Sequence, residues 1–121
     1  MFYFIVNPHA RSDQGMDIWK KAEEILAAEK VEYEVFFTKY TGHAKELAKQ
    51  IAVLSLPCTL TVLGGDGTLN EVIDGLAQTD FSRITLGYIP MWSLFKAFFI
   101  GVFITLRQIS ASYPMPLLTR K

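Results

Sequence analysis

Cysteine is almost absent, with Cys58 the only one in 121 residues. A lone thiol excludes an intrachain disulfide and a cysteine-rich metal site. Surplus charge is absent too, because 12 Lys/Arg balance 12 Asp/Glu. A neutral chain lacks the cationic excess that neutralises a phosphate backbone, so no nucleic-acid partner is expected. The opening residues, Met-Phe-Tyr-Phe-Ile-Val-Asn-Pro, carry no basic stretch ahead of an apolar one, which excludes a signal peptide and sets a reducing, cytoplasmic location as the expectation. Internal repeats and low-complexity tracts are missing. Half of the residues are hydrophobic, which excludes disorder and predicts a buried core within one domain.

The balance of charge hides an asymmetry. Residues 1–90 hold all the acids and are net negative, whereas residues 91–121 hold only Lys96, Arg107, Arg120 and Lys121. That last stretch is also rich in Trp92, Phe95, Phe98, Phe99 and Phe103. The shift divides the chain into a domain at 1–90 and an apolar, basic tail at 91–121.

Within the first part, periodicity alternates between two and about 3.6. Phe2 to Val6 is a run of β-formers closed by the Asn7-Pro8 turn. Ile18, Ala22, Ile25 and Leu26 mark one helical face between Asp13 and Lys30, with Lys20, Lys21, Glu23 and Glu24 off it. Val31 to Phe37 returns to period two. Ala44, Leu47, Ala48 and Ile51 predict a second helix, Thr59–Leu63 a buried strand, and Leu69, Val72, Ile73 and Leu76 a third helix. Ile84 to Ile89 completes a β-α-β-α-β-α-β order. Short connections in that order predict parallel strands, right-handed crossovers and helices on both faces, a doubly wound three-layer α/β fold.

Gly64-Gly65-Asp66-Gly67-Thr68-Leu69-Asn70-Glu71 lies between the third strand and the third helix. Ligands of open α/β sheets bind at the carboxyl ends of strands. Glycines there permit positive φ and let a ligand approach the backbone. The helix start offers unpaired N–H groups and partial positive charge, which suit phosphate oxygens. Asp66 adds a carboxylate fitted to Mg²⁺. Thr68 and Glu71 also read as a capping box, which leaves Gly64, Gly65, Asp66, Gly67 and Asn70 unexplained. Neither a Walker A sequence nor a complete Gly-x-Gly-x-x-Gly is present.

These segments resemble the N-terminal catalytic domain of the diacylglycerol kinase family, closest to its small soluble bacterial lipid kinases. Phe4 to Ala10 is similar to that family's opening strand and Asn-Pro-x-Ser/Ala-Gly loop, with Arg11 in place of the glycine. Phe37 to Ala44 is similar to its Thr-x-x-x-Gly-x-Ala segment, and Gly64 to Glu71 to its Gly-Gly-Asp-Gly-Thr-x-Asn-Glu signature. The likeness covers residues 2–90. NAD kinases and phosphofructokinases share the Gly-Gly-Asp-Gly loop, so an NAD kinase, a sugar-phosphate kinase or a non-catalytic nucleotide-binding module are the rival readings.

The resemblance implies a fold like the N-terminal domain of NAD kinases and diacylglycerol kinases, with ATP and Mg²⁺ as cofactors. ATP phosphates would lie on Gly64, Gly65, Asp66, Gly67 and Thr68, with Asn7, Pro8, His9, Ala10, Arg11 and Thr38 supplied by neighbouring strand ends. Asn70 and Glu71 would meet the nucleotide from the first helical turn, and Asp66 would position Mg²⁺-ATP. The γ-phosphoryl would pass in line to the hydroxyl of a lipid substrate, at the inner face of a membrane. His9 and His43 read as surface or loop histidines.

The likeness stops at Pro90. There the family continues with Gly-Thr/Ser-Gly-Asn-Asp-Phe-Ala-Arg and a β-sandwich domain holding the general base and a structural metal site, whereas this chain runs on as Met91-Trp92-Ser93-Leu94-Phe95-Lys96. Thirty-one residues cannot encode that sandwich, so the expectation is an incomplete kinase with very little activity alone. For the tail, three readings stand: a membrane span stretching from Gly87 to Leu106, an apolar helix packed on the sheet or a membrane, and a shifted reading frame. The apolar tail also favours a homo-oligomer.

Overall fold

The computed structural model describes residues 1–10, 14–54 and 57–90. Arg11 and the readings for residues 91–121 therefore lie outside the described residues.

Among the described residues, four strands and three helices alternate: β1 (Phe2–Val6), α1 (Gly15–Ala28), β2 (Tyr33–Phe37), α2 (His43–Val53), β3 (Cys58–Gly64), α3 (Asp66–Ala77) and β4 (Ile84–Pro90). The strands form one parallel sheet in the order β2-β1-β3-β4. Strand alternation sends successive side chains to opposite faces, and each face meets its own helices. Tyr3, Ile5, Leu60, Val62 and Ile84 pack with Ala44, Leu47 and Ile51 of α2 and Val72 and Leu76 of α3. Phe4, Val6, Leu63 and Ile89 pack with Trp19, Ala22 and Leu26 of α1. The result is the expected three-layer architecture, with β3 buried along its whole length.

Two helical faces differ in detail from their sequence patterns. Trp19 is the centre of the α1 face at 1% exposure, while Ile18 and Ile25 are half-buried. The indole fills a space between Phe4 (ring centroids 5.4 Å apart), Tyr33 (5.8 Å) and Phe37 (6.2 Å), a volume no aliphatic side chain would fill as well. On α3, Ile73 is turned outward at 44% exposure and Gly75 is buried instead. A Cβ on Gly75 would stand 2.5 Å from the Lys45 carbonyl oxygen, so α3 rests directly on the α2 backbone at this point. Close helix approach rotates Ile73 out of the interface.

The strand order sets the site. From β1 the chain crosses to β2 on one side, and on the other side of β1 lies β3. Connections leaving β1 and β3 diverge to opposite faces, opening a crevice above the carboxyl ends of these two strands.

Candidate functional site

The crevice is built from three strand exits. After β1, Asn7 turns the chain: its Oδ1 accepts from the His9 backbone N–H at 3.0 Å, and its backbone N–H donates to the Leu63 carbonyl at 3.0 Å. After β2, the Thr38 backbone N–H extends the ladder to the Val6 carbonyl at 2.9 Å. The chain then bends through Gly42, which has φ +92° and begins α2. After β3, extended Gly65 leads into α3.

Side chains tie these exits together. The Asn7 amide Nδ2 donates to Thr68 Oγ1 at 3.3 Å. Glu71 Oε1 accepts from the Gly42 N–H at 3.2 Å, joining the first turns of α3 to the start of α2. The Lys39 N–H donates to His43 Nδ1 at 2.9 Å, and the His43 ring stacks on Tyr40 with centroids 4.5 Å apart. Tyr40 in turn donates its hydroxyl to Glu46, a bond that raises the pKa of the phenol. His9 sits in the turn after β1, whereas His43 is the first residue of α2.

Between the exits lies a cavity of about 260 Å³ lined by Asn7, His9, Thr38, Thr68 and Glu71 together with Lys39, Tyr40 and Thr41. Five of the sequence-selected residues meet here. Pro8, Ala10, Gly64, Gly65, Asp66, Gly67 and Asn70 do not line it. Ala10 is buried in the α1-side core, because the Asn7 turn folds it back toward the sheet. Asp66, Gly67 and Asn70 are solvent-exposed at the beginning of α3.

The glycine loop differs from its sequence reading in two ways. Among the described residues, Gly42 is the glycine with positive φ, and none of the loop glycines adopts it. What Gly64 supplies is proximity: a Cβ there would lie 2.9 Å from Thr68 Cβ and Oγ1. At Gly65 and Gly67 an added Cβ would meet nothing within 4 Å. Neither backbone conformation nor internal crowding demands glycine at those two positions, which leaves the outer surface of the loop smooth for a ligand. The second difference concerns capping. The helix begins at Asp66, two residues ahead of Thr68, and no side chain caps it. Thr68 is inside the first turn and holds Asn7, while Glu71 serves Gly42, so the capping box does not form.

The uncapped start matters chemically. The first backbone N–H groups of α3, from Asp66 to Thr68, have no carbonyl one turn back to receive them. With the helix dipole they favour an anion. Beside them, the cavity offers acceptors and hydroxyls from Glu71, Asn7, Thr38, Thr41 and Thr68, with Lys39 and His9 also on its lining, a set able to hydrogen-bond a polyhydroxylated or amino-bearing group. Thr68 belongs to both regions. Among the described residues no group of three or more His, Cys, Asp or Glu converges as a metal site, and no helix is long and apolar enough to cross a membrane.

Tyr88 also belongs to this end of the sheet, although its place in the apolar run Ile84–Ile89 hid it. Its hydroxyl lies 3.2 Å from Asp66 Oδ1 and 3.3 Å from the Gly64 carbonyl oxygen. The only signal in the sequence was a phenol near the carboxyl end of a strand, where ligand-facing groups gather.

The fold is an open parallel α/β sheet whose uncapped, glycine-rich start of α3 lies at the topological switch point between β1 and β3. Residues 1–94 match the diacylglycerol kinase catalytic domain, and the chain belongs to that family. It is 40% identical over 91 residues to the Bacillus subtilis protein named "Putative lipid kinase YtlR", covering 74% of this chain and 29% of that one. It is 35% identical over 91 residues to human mitochondrial acylglycerol kinase, covering 71% of this chain and 21% of the relative. A diacylglycerol kinase structure from Bacillus anthracis superposes with a TM-score of 0.62 at 32% identity, covering 74% of this chain and 32% of that one. The chain thus spans less than a third of these relatives and corresponds to their N-terminal portion.

Proposed function

We propose that this chain forms the ATP-binding part of a lipid kinase, in which the γ-phosphoryl of ATP is transferred to the hydroxyl of a lipid at a membrane surface. The observation that carries the reading is the continuity of two chemically different regions through Thr68. The uncapped α3 start receives phosphates, and the acceptor-rich cavity beside it receives the nucleoside. In this reading Gly65, Gly67 and Thr68 cradle the phosphates, while Asn7, Thr38 and Glu71 meet the sugar or base. Pro8, Ala10 and Gly64 act as supports, through the turn, the core and the close approach to Thr68.

Mg²⁺ binds proteins through one or two carboxylates together with substrate phosphates. Asp66 is exposed beside the phosphate region and fits that pattern as a lone protein carboxylate. When bound, the cation would neutralise charge on the transferring phosphoryl group. Asn70, exposed on the same turn, is the further polar group within reach of a nucleotide from α3.

The lipid acceptor is given only by class. Relatives are named as acylglycerol, diacylglycerol and sphingoid long chain base kinases, whose named lipids share a hydroxyl near a long hydrocarbon chain. Family membership favours this acceptor over NAD or a sugar phosphate.

Calorimetric titration of the full chain tests the proposal. ATP with Mg²⁺ is expected to bind, and Gly67→Ala to weaken binding by placing a methyl group on the ligand-facing loop. An absence of heat at millimolar ATP, with the protein folded, rejects the reading.

A further inference from the structure

Tyr88 lies on β4 opposite Val62, two residues before the Pro90–Gly64 pair at the top of the sheet. It points to the face covered by α2 and α3 and packs against that core. Its ring is therefore fixed, and its hydroxyl emerges where β3 becomes α3. There it meets two acceptors, Asp66 Oδ1 at 3.2 Å and the Gly64 carbonyl at 3.3 Å. A phenol carries one hydrogen. The carboxylate, being charged, takes it in preference to the neutral carbonyl.

Asp66 is the first residue of α3 and has an obvious alternative partner. The unpaired N–H groups of its own first turn attract the nearest anion, and Gly65 offers no side chain to occupy them. An unrestrained Asp66 carboxylate would satisfy them and exclude an incoming phosphate. We propose that Tyr88 is a positioning residue: its hydroxyl holds the Asp66 carboxylate toward β4 and keeps the first-turn amides of α3 open for an anionic ligand. The inference rests on the phosphate-binding reading of that turn.

Two measurements on the full chain test it, with urea denaturation confirming that each variant folds. In the first, ATP is titrated into the wild type, Tyr88→Phe, Asp66→Ala and the double variant, all with EDTA so that no divalent cation bridges Asp66 to phosphate. Tyr88→Phe keeps the ring and is expected to weaken binding about 3- to 10-fold, the range of one hydrogen bond. In the Asp66→Ala background the same change should alter affinity less than about twofold, because Tyr88 acts through the carboxylate. Equal weakening in both backgrounds, or none in either, overturns the proposal.

The second measurement needs no nucleotide. Amide hydrogen exchange at Gly67 and Thr68 is expected to slow in Tyr88→Phe as Asp66 swings over them, and to return to the wild-type rate in the double variant. Unchanged exchange in Tyr88→Phe overturns the inference. Should Tyr88→Phe not fold, Asp66→Ala decides alone: exchange at these amides stays at the wild-type rate if the carboxylate is held away, and faster exchange shows that it already caps them. A wild type that binds no ATP rejects the proposed function, while the exchange result still decides the role of Tyr88.

Discussion

The side-chain amide of Asn7 donates to the hydroxyl of Thr68 at 3.3 Å, across 61 positions of sequence. This bond spans the crevice between the exits of β1 and β3. It fixes the distance between the turn after the first strand and the first turn of α3, the two walls on which the proposed nucleotide site depends. The same Asn7 side chain accepts from the His9 N–H, so one residue sets both the local turn and the long-range contact.

Asn7→Ala removes both bonds and is expected to lower stability by about 1–2 kcal/mol. Urea denaturation should show a lower midpoint with an unchanged slope, since the surface exposed on unfolding stays the same.

Gly64→Ala and Gly67→Ala should separate packing from binding. The Gly64 methyl would strike Thr68 at 2.9 Å, and overpacking of this kind costs about 1–3 kcal/mol. The Gly67 methyl meets nothing within 4 Å, so that variant should keep the wild-type thermal midpoint or exceed it while losing ATP affinity. Melting curves and titrations on the same samples check both halves.

Glu71→Ala leaves the Gly42 N–H without its acceptor, and a loss of about 1–2 kcal/mol is expected because the bond is part-buried and the acceptor charged. Glu71→Gln retains an acceptor oxygen at the same place and should keep more of the stability than Ala. Equal midpoints for Ala and Gln in urea would contradict the role assigned to this contact.

Alkaline pH should destabilise the fold. Burial raises the pKa of Cys58 from 9.0 to about 11, and burial likewise raises Tyr3, Tyr33 and Tyr88. For an acid whose folded pKa exceeds its unfolded one, stability is fully present below the unfolded pKa and is lost as pH rises through the folded value. The Cys58 contribution therefore fades between about pH 9 and about pH 11. Urea midpoints measured across this window should fall, and fall less steeply in Cys58→Ala.

Much of the fold was legible because its signals are local. β1 begins and ends where the β-formers do, at Phe2 and Val6, and Ala44, Leu47, Ala48 and Ile51 of α2 are all buried as their spacing predicts. The exceptions arise where two elements touch. Trp19 displaces its neighbours because three aromatic rings from the sheet surround it, and Ile73 turns outward because Gly75 brings α3 onto α2. The helix start moved to Asp66 for a similar reason: Thr68 and Glu71 found distant partners in Asn7 and Gly42, and so did not cap each other.

By itself the sequence determined the order of strands and helices, the parallel layering, the glycine loop and the family to which they belong, since periodicity and short motifs are written within a few residues of one another. Only the tertiary structure decided which residues share the site: that Lys39, Tyr40 and Thr41 join Asn7 and Glu71, that Ala10 leaves for the core, and that Tyr88 reaches Asp66. Those relationships depend on side chains meeting across strands distant in sequence, and sheet order and register, not local spacing, bring them within bonding distance.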